Sequence, residues 1–550
     1  MSDGGLATSM GHEINIDSIQ ALDKRIEEVA AELVRLKRSR NSLLTVARVP
    51  PEILGHIFGF NITTEVGDPK FAGIQKDSYN FLLVCHHWFE VARRLPELWS
   101  FWGNSFEDWK RQLPRSDGTA PLDLVLDGAE CQVGPADEAL LDTLKDYTAR
   151  NAIRKVHLRS DDIRLLTTIV SSLTPEWCIR DSNIESIALN GVDVTALLAH
   201  QRYPKLRDLS LSGRFWIWEL DWHSVDQNIT GLVNLSLSSN ALNSIPSVSQ
   251  ILSLLTSNPN IRTLALESLK VRDDIGLDSN EPRVQLCHLE KFSLTGDFYR
   301  VFPILRQLEL PERVDHARLE FSNCMSREVH ETVMPYIRDY FQRDSRFKDR
   351  LGIVVSRTND SITLRASVIG AGYHGPDGLP QHGPPYLSVS AIQQNYTLGG
   401  FSEREELCVN ILALLPRENI VYFETNLSLR PTMEAIVVMP NLEALYLIGM
   451  LVEDGFLLPD PNGPDMHTKL FPHLQRLYLQ DATAQYFDWN PLFRYATNQT
   501  SGNHPFSLFL FGEYMHICFE VAQRIEGLVE EFVYDRDAGC PFHECDSYQM

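Results

Sequence analysis

Hydrophobic residues near the start of the chain recur in alternating steps of three and four, with charged residues between them. The apolar positions are Ile19, Leu22, Ile26, Val29, Leu33 and Leu36. This seven-residue repeat predicts a helix over 13–44 with an apolar stripe typical of a coiled coil. Because an independent coiled coil needs about three heptads or more, the alternative is one amphipathic helix packed on the next domain.

Two further helix patterns lie between residues 45 and 102. The first opens at Pro50 and Pro51, which suit a helix entrance because proline at the first helical position loses no N–H that the helix needs. The apolar residues that follow form one helix face: Ile53, Leu54, Ile57 and Phe58. The apolar residues of the second pattern are Leu82, Leu83, Val84, Cys85, Trp88, Phe89 and Ala92. Both segments are therefore predicted to be amphipathic helices.

These segments together resemble an F-box, the three-helix module that docks on the small Skp adaptor of cullin–RING ubiquitin ligases. The resemblance rests on Pro-Pro-Glu-Ile-Leu-x-x-Ile-Phe at 50–58, Leu-Val-Cys-x-x-Trp-x-x-x-Ala at 83–92 and Leu-Pro-x-Leu-Trp at 95–99. The preceding heptad helix is similar to the arrangement in F-box-like families of mushroom-forming fungi, although the connection over 61–80 is longer than the family pattern. The resemblance implies an adaptor-binding face made of Pro50, Pro51, Ile53, Leu54, Ile57, Phe58, Val84, Cys85 and Trp88. The alternative is that these two helices are only core.

Farther along the chain, the pattern Leu-x-x-Leu-x-Leu, with other apolar residues at some of the Leu positions, recurs. Copies begin at residues 153, 184, 206, 232, 261, 289 and 305, and again at 442 and 474. Most separations are near the ~20–29 residues of leucine-rich repeats. Each copy predicts a strand, and residues 247–257 have helical spacing. The alternative is a conventional α/β domain whose strands happen to have similar sequences.

The copy that begins at Leu232 is the most complete, because it continues through Asn240 and Leu242. In such a unit the leucines fill the interior, and the Asn240 side chain satisfies backbone groups of the turn after the strand. The other copies lack this asparagine, so the array resembles the irregular repeats of leucine-rich-repeat F-box proteins. Residues 351–367 read as two short strands around Asn359 and Asp360, which predicts a hairpin or a degenerate repeat.

The predicted fold class is α/β, with an N-terminal helix and a three-helix F-box followed by an irregular leucine-rich-repeat solenoid with a parallel sheet. The predicted segments are a disordered N-terminus at 1–12, the heptad helix at 13–44, the F-box-like domain at 45–102, a linker at 103–120, the solenoid at 121–535 with a Gly/Pro loop near 370–385, and a tail at 536–550.

Charge and composition narrow the range of partners. Lys and Arg total 50 against 73 Asp and Glu, a net charge of −23. This balance repels phosphate backbones and anionic lipid surfaces, so neither nucleic acid nor a membrane is expected as a partner. We find no signal-peptide pattern or long apolar window, and the nine cysteines are scattered singly. We therefore expect a soluble protein with reduced thiols, in the cytoplasm or the nucleus.

Sequence motifs of enzymes are missing. We find no phosphate-binding loop, nucleophile elbow or His-Glu-x-x-His helix, so we expect neither catalysis nor a cofactor. The glycines of 370–375 match a dinucleotide fingerprint, but the prolines of 376–385 prevent the helix that it requires. Cys540, His543 and Cys545 lack a fourth ligand for a structural zinc site, so no metal is predicted.

The most concentrated set of interface-type side chains is the aromatic segment 215–222. Its Trp216, Trp218 and Trp222 are candidates for binding a client protein, with Glu219 and Asp221 favouring a basic patch on that client. The alternative is that they fill an enlarged turn between repeats. The predicted function is substrate recognition in a Skp–cullin–F-box ubiquitin ligase, in which a Skp-type adaptor links the chain to a cullin. The alternative function is a leucine-rich-repeat scaffold without a ligase role.

Overall fold

The computed structural model describes residues 16–63, 83–95 and 101–102, residues 121–173, 181–344 and 348–368 with gaps, and then 387–392, 416–426, 439–448, 473–480, 492–497 with a gap, 506–511 and 519–534. The chain divides into two compact units, 1–175 and 176–550. Of the predicted segments, the N-terminus at 1–12, the linker at 103–120, the Gly/Pro loop near 370–385 and the tail at 536–550 lie outside the described residues. None of the helices within these ranges is both long and apolar enough to cross a membrane.

Within the described residues, the first unit begins with three helices, after which come three parallel strands and two further helices. Its helices are α1 (Ile16–Ser42), α2 (Pro51–Thr63), α3 (His86–Arg93), α4 (Glu138–Ala149) and α5 (Ile163–Leu173). Its strands are β1 (Phe101–Trp102), β2 (Leu122–Asp127) and β3 (Ile153–Arg159), and β2 pairs in parallel with both others. A short 3-10 turn, Thr45–Arg48, connects α1 to α2.

An ion pair joins β2 to β3 within this unit. The carboxylate of Asp123, which is buried, accepts two hydrogen bonds from the Arg154 guanidinium at 2.8 and 2.7 Å. Lys155 Nζ lies 3.8 Å from the same carboxylate. A buried carboxylate requires such partners, because burial without them costs several kcal/mol.

The second unit is built on a long sheet. Its strands are β4 (Ser186–Asn190), β5 (Asp208–Gly213), β6 (Asn234–Ser239), β7 (Thr263–Glu267), β9 (Lys291–Asp297), β11 (His316–Ser322), β12 (Leu351–Arg357), β13 (Ser361–Val368), β14 (Leu387–Ile392), β15 (Ile420–Thr425), β16 (Ala444–Ile448), β17 (Arg476–Gln480), β18 (Ser507–Phe511) and β19 (Glu531–Tyr534). Two further strands, β8 (Val284–Gln285) and β10 (Leu308–Glu309), pair only with each other.

Strand pairing in the long sheet is parallel except around β13. The order is β4-β5-β6-β7-β9-β11-β14-β13-β12-β15-β16-β17-β18-β19, and β13 runs antiparallel to both of its neighbours. The predicted hairpin at 351–367 is therefore present, as β12 and β13. Because β14 pairs with β11 and β12 pairs with β15, this segment joins the two runs of repeated strands into one sheet. The predicted α/β class with a mainly parallel sheet is confirmed.

Two rows of buried apolar side chains cross this sheet. One row joins Leu209, Leu235, Leu264 and Phe292 on β5 to β9, and then continues as Leu445, Leu477 and Leu508 on β16 to β18. The second row, two residues farther along each strand, begins with Leu211, Leu237, Leu266 and Leu294. Since side chains alternate between the faces of a strand, both rows lie on the same face of the sheet.

Helices of the second unit include α6 (Val248–Ser257), α7 (Phe298–Gln307), α8 (Met334–Arg343) and α9 (Phe519–Glu526). A reciprocal capping box starts α6, in which the Ser247 side chain accepts from Gln250 N and the Gln250 side chain accepts from Ser247 N. The copy of the repeat at residue 305 differs from its prediction. Leu305 lies in the last turn of α7 and Leu308 belongs to the separate β8–β10 pair, so this copy contributes no strand to the long sheet.

The side chain of Asn258 closes the turn after α6. It is fully buried, accepts a hydrogen bond from Leu232 N at 2.9 Å, and donates to Ile229 O at 3.1 Å and Leu254 O at 2.8 Å. This is the kind of backbone satisfaction that the sequence predicted for Asn240, which lies outside the described residues. A different asparagine therefore links one connection of the array to the next.

Candidate docking surface

A small apolar core holds α2 and α3 together. Leu54, Phe58, Val91 and Ala92 are its buried members, and Val49, Trp88 and Leu95 pack against them while remaining partly exposed. The segment just after α3 approaches α2 closely at Gly55, where a Cβ would lie 3.3 Å from Leu95 Cδ1. Positions i and i+4 of α2 thus point into the core, as an amphipathic helix requires.

The indole of Trp88 contributes to this core from α3. Its ring lies edge-on to the Phe58 ring, with centroids 5.3 Å apart and planes inclined by 64°. On the neighbouring position, His87 Nε2 lies 3.5 Å from Val49 O, which connects α3 to the segment just before α2. The α2–α3 module is therefore a packed structure, and Trp88 is partly committed to it.

The outer side of the module keeps large apolar side chains in solvent. Ile53 and Ile57, one turn apart on α2, are 50% and 46% exposed. Adjacent residues on a helix point about 100° apart, so Ile53 faces away from the core that Leu54 enters. On the other segment, Leu83, Val84 and Phe89 are also exposed. Several large apolar residues exposed on so small a module are typical of an interaction surface.

Charged residues lie beside this apolar surface on α3. Glu90 accepts a hydrogen bond from Arg93 at 3.1 Å, and His86 and Arg94 lie 3.9 Å from its carboxylate. Ion pairs as exposed as these contribute little to stability. They place polar groups on the same helix as the exposed Phe89, and polar groups are usual at the rim of a protein interface.

The nine residues predicted to bind an adaptor do not share one face. Leu54 and Phe58 are buried in the core, and Cys85 and Trp88 are partly buried. The remaining five are exposed: Pro50, Pro51, Ile53, Ile57 and Val84. Adjacent apolar residues such as Ile53 and Leu54 look alike in the sequence, so the pattern alone does not separate the inward residues from the outward ones. Pro96–Trp99 of the third motif lie outside the described residues.

A second surface of interest is the strand face of the long sheet opposite the two apolar rows. On β5, β6 and β9 the residues on this face include Ser210, Ser236 and Ser293, all partly exposed and in register. Charged neighbours on the same face include Lys291, and Arg318, which donates to Glu320 at 2.7 Å. This half of the sheet therefore presents a polar surface.

The same strand face changes character at the other end of the sheet. Tyr422, Tyr446, Tyr478 and Phe509 on β15 to β18 form a buried aromatic cluster, and Tyr478 stacks on Phe509 with centroids 4.4 Å apart. Burial, together with the charge of Glu424 and the hydrogen bond to it, raises the pKa of Tyr422. The alternating Leu and Tyr residues of these strands were the available signal for this cluster, which the sequence analysis did not identify.

The candidate client residues Trp216, Trp218 and Trp222 lie outside the described residues, as do Cys540, His543 and Cys545. In the part of the chain that the structure describes, no three His, Cys, Asp or Glu side chains are grouped as a metal site would require.

Comparisons with known proteins add little to this geometry. No protein-family model matches the chain, and no curated protein matches it. Among solved structures it is similar to a chain of the Rad7 and Elc1 complex in yeast, at 13% sequence identity, over 86% of this chain and 93% of that chain, with a TM-score of 0.26. A TM-score this low does not establish a shared fold.

Proposed function

We propose that this chain is the substrate-recognition subunit of a Skp–cullin–F-box ubiquitin ligase. Its α2–α3 module docks on a Skp-type adaptor, and the adaptor connects the chain to a cullin. The observation that carries the proposal is the exposed apolar pair Ile53 and Ile57 beside a completed core. A module that served only as core would not leave such residues in solvent, since burying them is favourable.

The sequence motif and the geometry support this proposal independently. The motif suggested docking from the order and spacing of 50–58, 83–92 and 95–99. In the structure, some residues of that motif, such as Leu54 and Phe58, are buried in the core of the module, whereas Ile53 and Ile57 are exposed. The chain itself makes and breaks no bond in this role, and it needs no cofactor. It raises the local concentration of a client near the conjugating enzyme, in the cytoplasm or the nucleus.

The array of the second unit is the proposed client-binding part, as an irregular leucine-rich-repeat solenoid. A surface already occupied by the adaptor cannot also hold a client, whereas a long sheet offers an extended face. Its polar half includes the partly exposed Ser210, Ser236 and Ser293. With a net charge of −23, the chain favours a client with a basic patch. Trp216 and Trp218 are the proposed anchors, so replacing both by alanine is expected to lose the client and keep the adaptor.

The experiment that tests the docking role is affinity purification of the full chain followed by mass spectrometry. Recovery of a Skp-type adaptor together with a cullin is expected for the wild type. Replacing Ile53 and Ile57 by Glu should remove both proteins, because a charge on each position opposes desolvation.

A matched control is available on another exposed apolar pair. Leu43 and Leu44 are 71% and 49% exposed and lie outside the α2–α3 module. Replacing these two by Glu adds the same charge and should leave recovery unchanged. Failure of the wild type to recover an adaptor, while client proteins are still recovered, would favour the scaffold function instead.

A further inference from the structure

Helix α1 carries an apolar stripe that is open along its length. Every residue from Ile19 to Arg40 is exposed. The six stripe residues are between 46% and 64% exposed: Ile19, Leu22, Ile26, Val29, Leu33 and Leu36. Most of the stability of a helix in a protein comes from packing its apolar face. A helix of 27 residues with this stripe exposed therefore calls for a partner surface.

Charged residues flank the stripe without covering it. Arg25 donates to Glu28 at 2.9 Å, and Arg35 donates twice to Glu32, at 2.7 Å each. Both pairs are three residues apart, so they stabilise the helix along its own surface. The apolar positions between them stay free for contact with a second helix.

We propose that a second copy of this chain covers the stripe, so that two α1 helices form a parallel, in-register coiled coil. In heptad notation Ile19, Ile26 and Leu33 occupy a, and Leu22, Val29 and Leu36 occupy d. Isoleucine at a with leucine at d is the combination that favours parallel two-stranded coiled coils. Two of the three a positions and two of the three d positions of α1 follow it.

Charge complementarity agrees with pairing between identical helices. In a parallel dimer each g residue meets the e residue of the following heptad on the other helix. Glu32 at g then meets Lys37 of the second copy, and symmetry gives this attractive pair twice. Arg25 at g meets Ala30, so the pairing brings no like charges together at these positions.

Charge does not distinguish a parallel from an antiparallel pair of helices, so the parallel orientation is inferred from the residues at the a and d positions. An antiparallel pair would also bring opposite charges together, with Arg25 of one helix near Glu32 of the other.

A parallel dimer starts both α2–α3 modules from the same end of the coiled coil, beyond Ser42. Two copies of the array would then be available to one client, which raises the effective concentration for a second contact.

The test measures the mass of the full chain by light scattering after size-exclusion chromatography. The wild type should have twice the chain mass of 62.6 kDa at micromolar concentration. Ile26→Asp places a charge in the seam and should give the mass of one chain. Val34→Asp is the matched control, because Val34 is 47% exposed on the same helix at a b position, outside the seam. It should remain a dimer.

Two results would overturn the dimer. One is a wild-type chain with a single-chain mass across this concentration range, in which case the stripe belongs to another partner or to none. The other is an Ile26→Asp chain whose mass stays equal to that of the wild type. Circular dichroism and the melting temperature of both variants separate loss of the dimer from loss of the fold.

Disulfide trapping tests the orientation. In a parallel dimer the two residues at position 19 face each other, so Ile19→Cys should give a covalent dimer on mild oxidation. In an antiparallel dimer Ile19 faces Leu36, and the two thiols would be roughly 25 Å apart at ~1.5 Å per residue. The wild type under the same conditions controls for natural thiols such as the exposed Cys287. A dimer that Ile19→Cys fails to trap would contradict the parallel arrangement.

Discussion

The ring of Trp88 lies edge-on to the ring of Phe58, with centroids 5.3 Å apart and planes inclined by 64°. Phe58 is fully buried, whereas Trp88 is partly exposed at the boundary of the same core. On the outer side of α2, Ile53 and Ile57 remain in solvent. Folding and docking in this module are therefore carried by different residues, which substitutions can separate.

Replacing Phe58 by Ala should destabilise the α2–α3 module by about 3–5 kcal/mol, because a buried aromatic leaves a cavity when truncated. Ile53→Ala, on the exposed face, should change stability by no more than about 0.5 kcal/mol. Hydrogen exchange of the amides of 51–63 and 86–93 measures the effect locally. Equal protection of these amides from exchange in the two variants would contradict the assignment of Phe58 to the buried face and Ile53 to the exposed face of α2.

In the long sheet, Leu235→Ala should cost about 2–5 kcal/mol, since Leu235 is fully buried between Leu209 and Leu264 in one apolar row. Ser236→Ala on the same strand points to the opposite face and is the control, with a change below about 0.5 kcal/mol. Denaturant unfolding of the two chains provides the comparison. Similar midpoints would contradict the assignment of the faces.

Asn258→Ala should destabilise the second unit by on the order of 2–4 kcal/mol, because it leaves Leu232 N–H and two carbonyls without their buried partner. Asn441 also bonds a backbone carbonyl, that of Glu418, but from an exposed position. Asn441→Ala should therefore cost less than about 1 kcal/mol. Calorimetric melting of both variants tests the difference, and equal losses would contradict a special role for Asn258.

Much of the sheet could be predicted from apolar spacing alone. All nine copies of the repeat pattern lead into a strand, from β3 at Ile153 to β17 at Arg476–Gln480, although the copy at residue 305 leads only into β10, which pairs with β8. Among the strands that the pattern missed, two have a small or polar residue at an inward position. These residues are Ala317 on β11 and Thr425 on β15, and both are buried. At these positions the inward residue does not match the apolar pattern, and the register of each strand is set by pairing with its neighbours.

The docking surface was only partly predictable. The pattern Ile53-Leu54 and Ile57-Phe58 defines one broad apolar stripe, and sequence cannot show which member of each pair turns inward. That choice depends on where α3 packs, with Val91 and Ala92 closing the core. Asn258 was not identified as a turn partner for a similar reason, since its hydrogen bonds depend on how two connections meet in space.

Alkaline titration should reveal at least four protected tyrosines, all within the part of the chain that the structure describes. Burial raises the pKa of Tyr203, Tyr336, Tyr422 and Tyr478 above the ordinary value of 10.0. The folded state therefore holds these protons when the unfolded state has lost them. Their contribution to stability is complete below pH ~10 and declines as the pH rises beyond it. Phenolate absorbance that reached completion before unfolding would contradict this expectation.

The most direct test of the docking account is calorimetric titration of the purified full-length chain with a purified Skp-type adaptor. The wild type and the Leu43→Glu, Leu44→Glu control should bind with equal affinity and a negative heat-capacity change, as burial of apolar surface produces. The Ile53→Glu, Ile57→Glu chain should bind at least about 100-fold more weakly, with its melting temperature retained. Absence of binding by the wild type, or equal affinity in the Ile53→Glu, Ile57→Glu chain, would contradict the account.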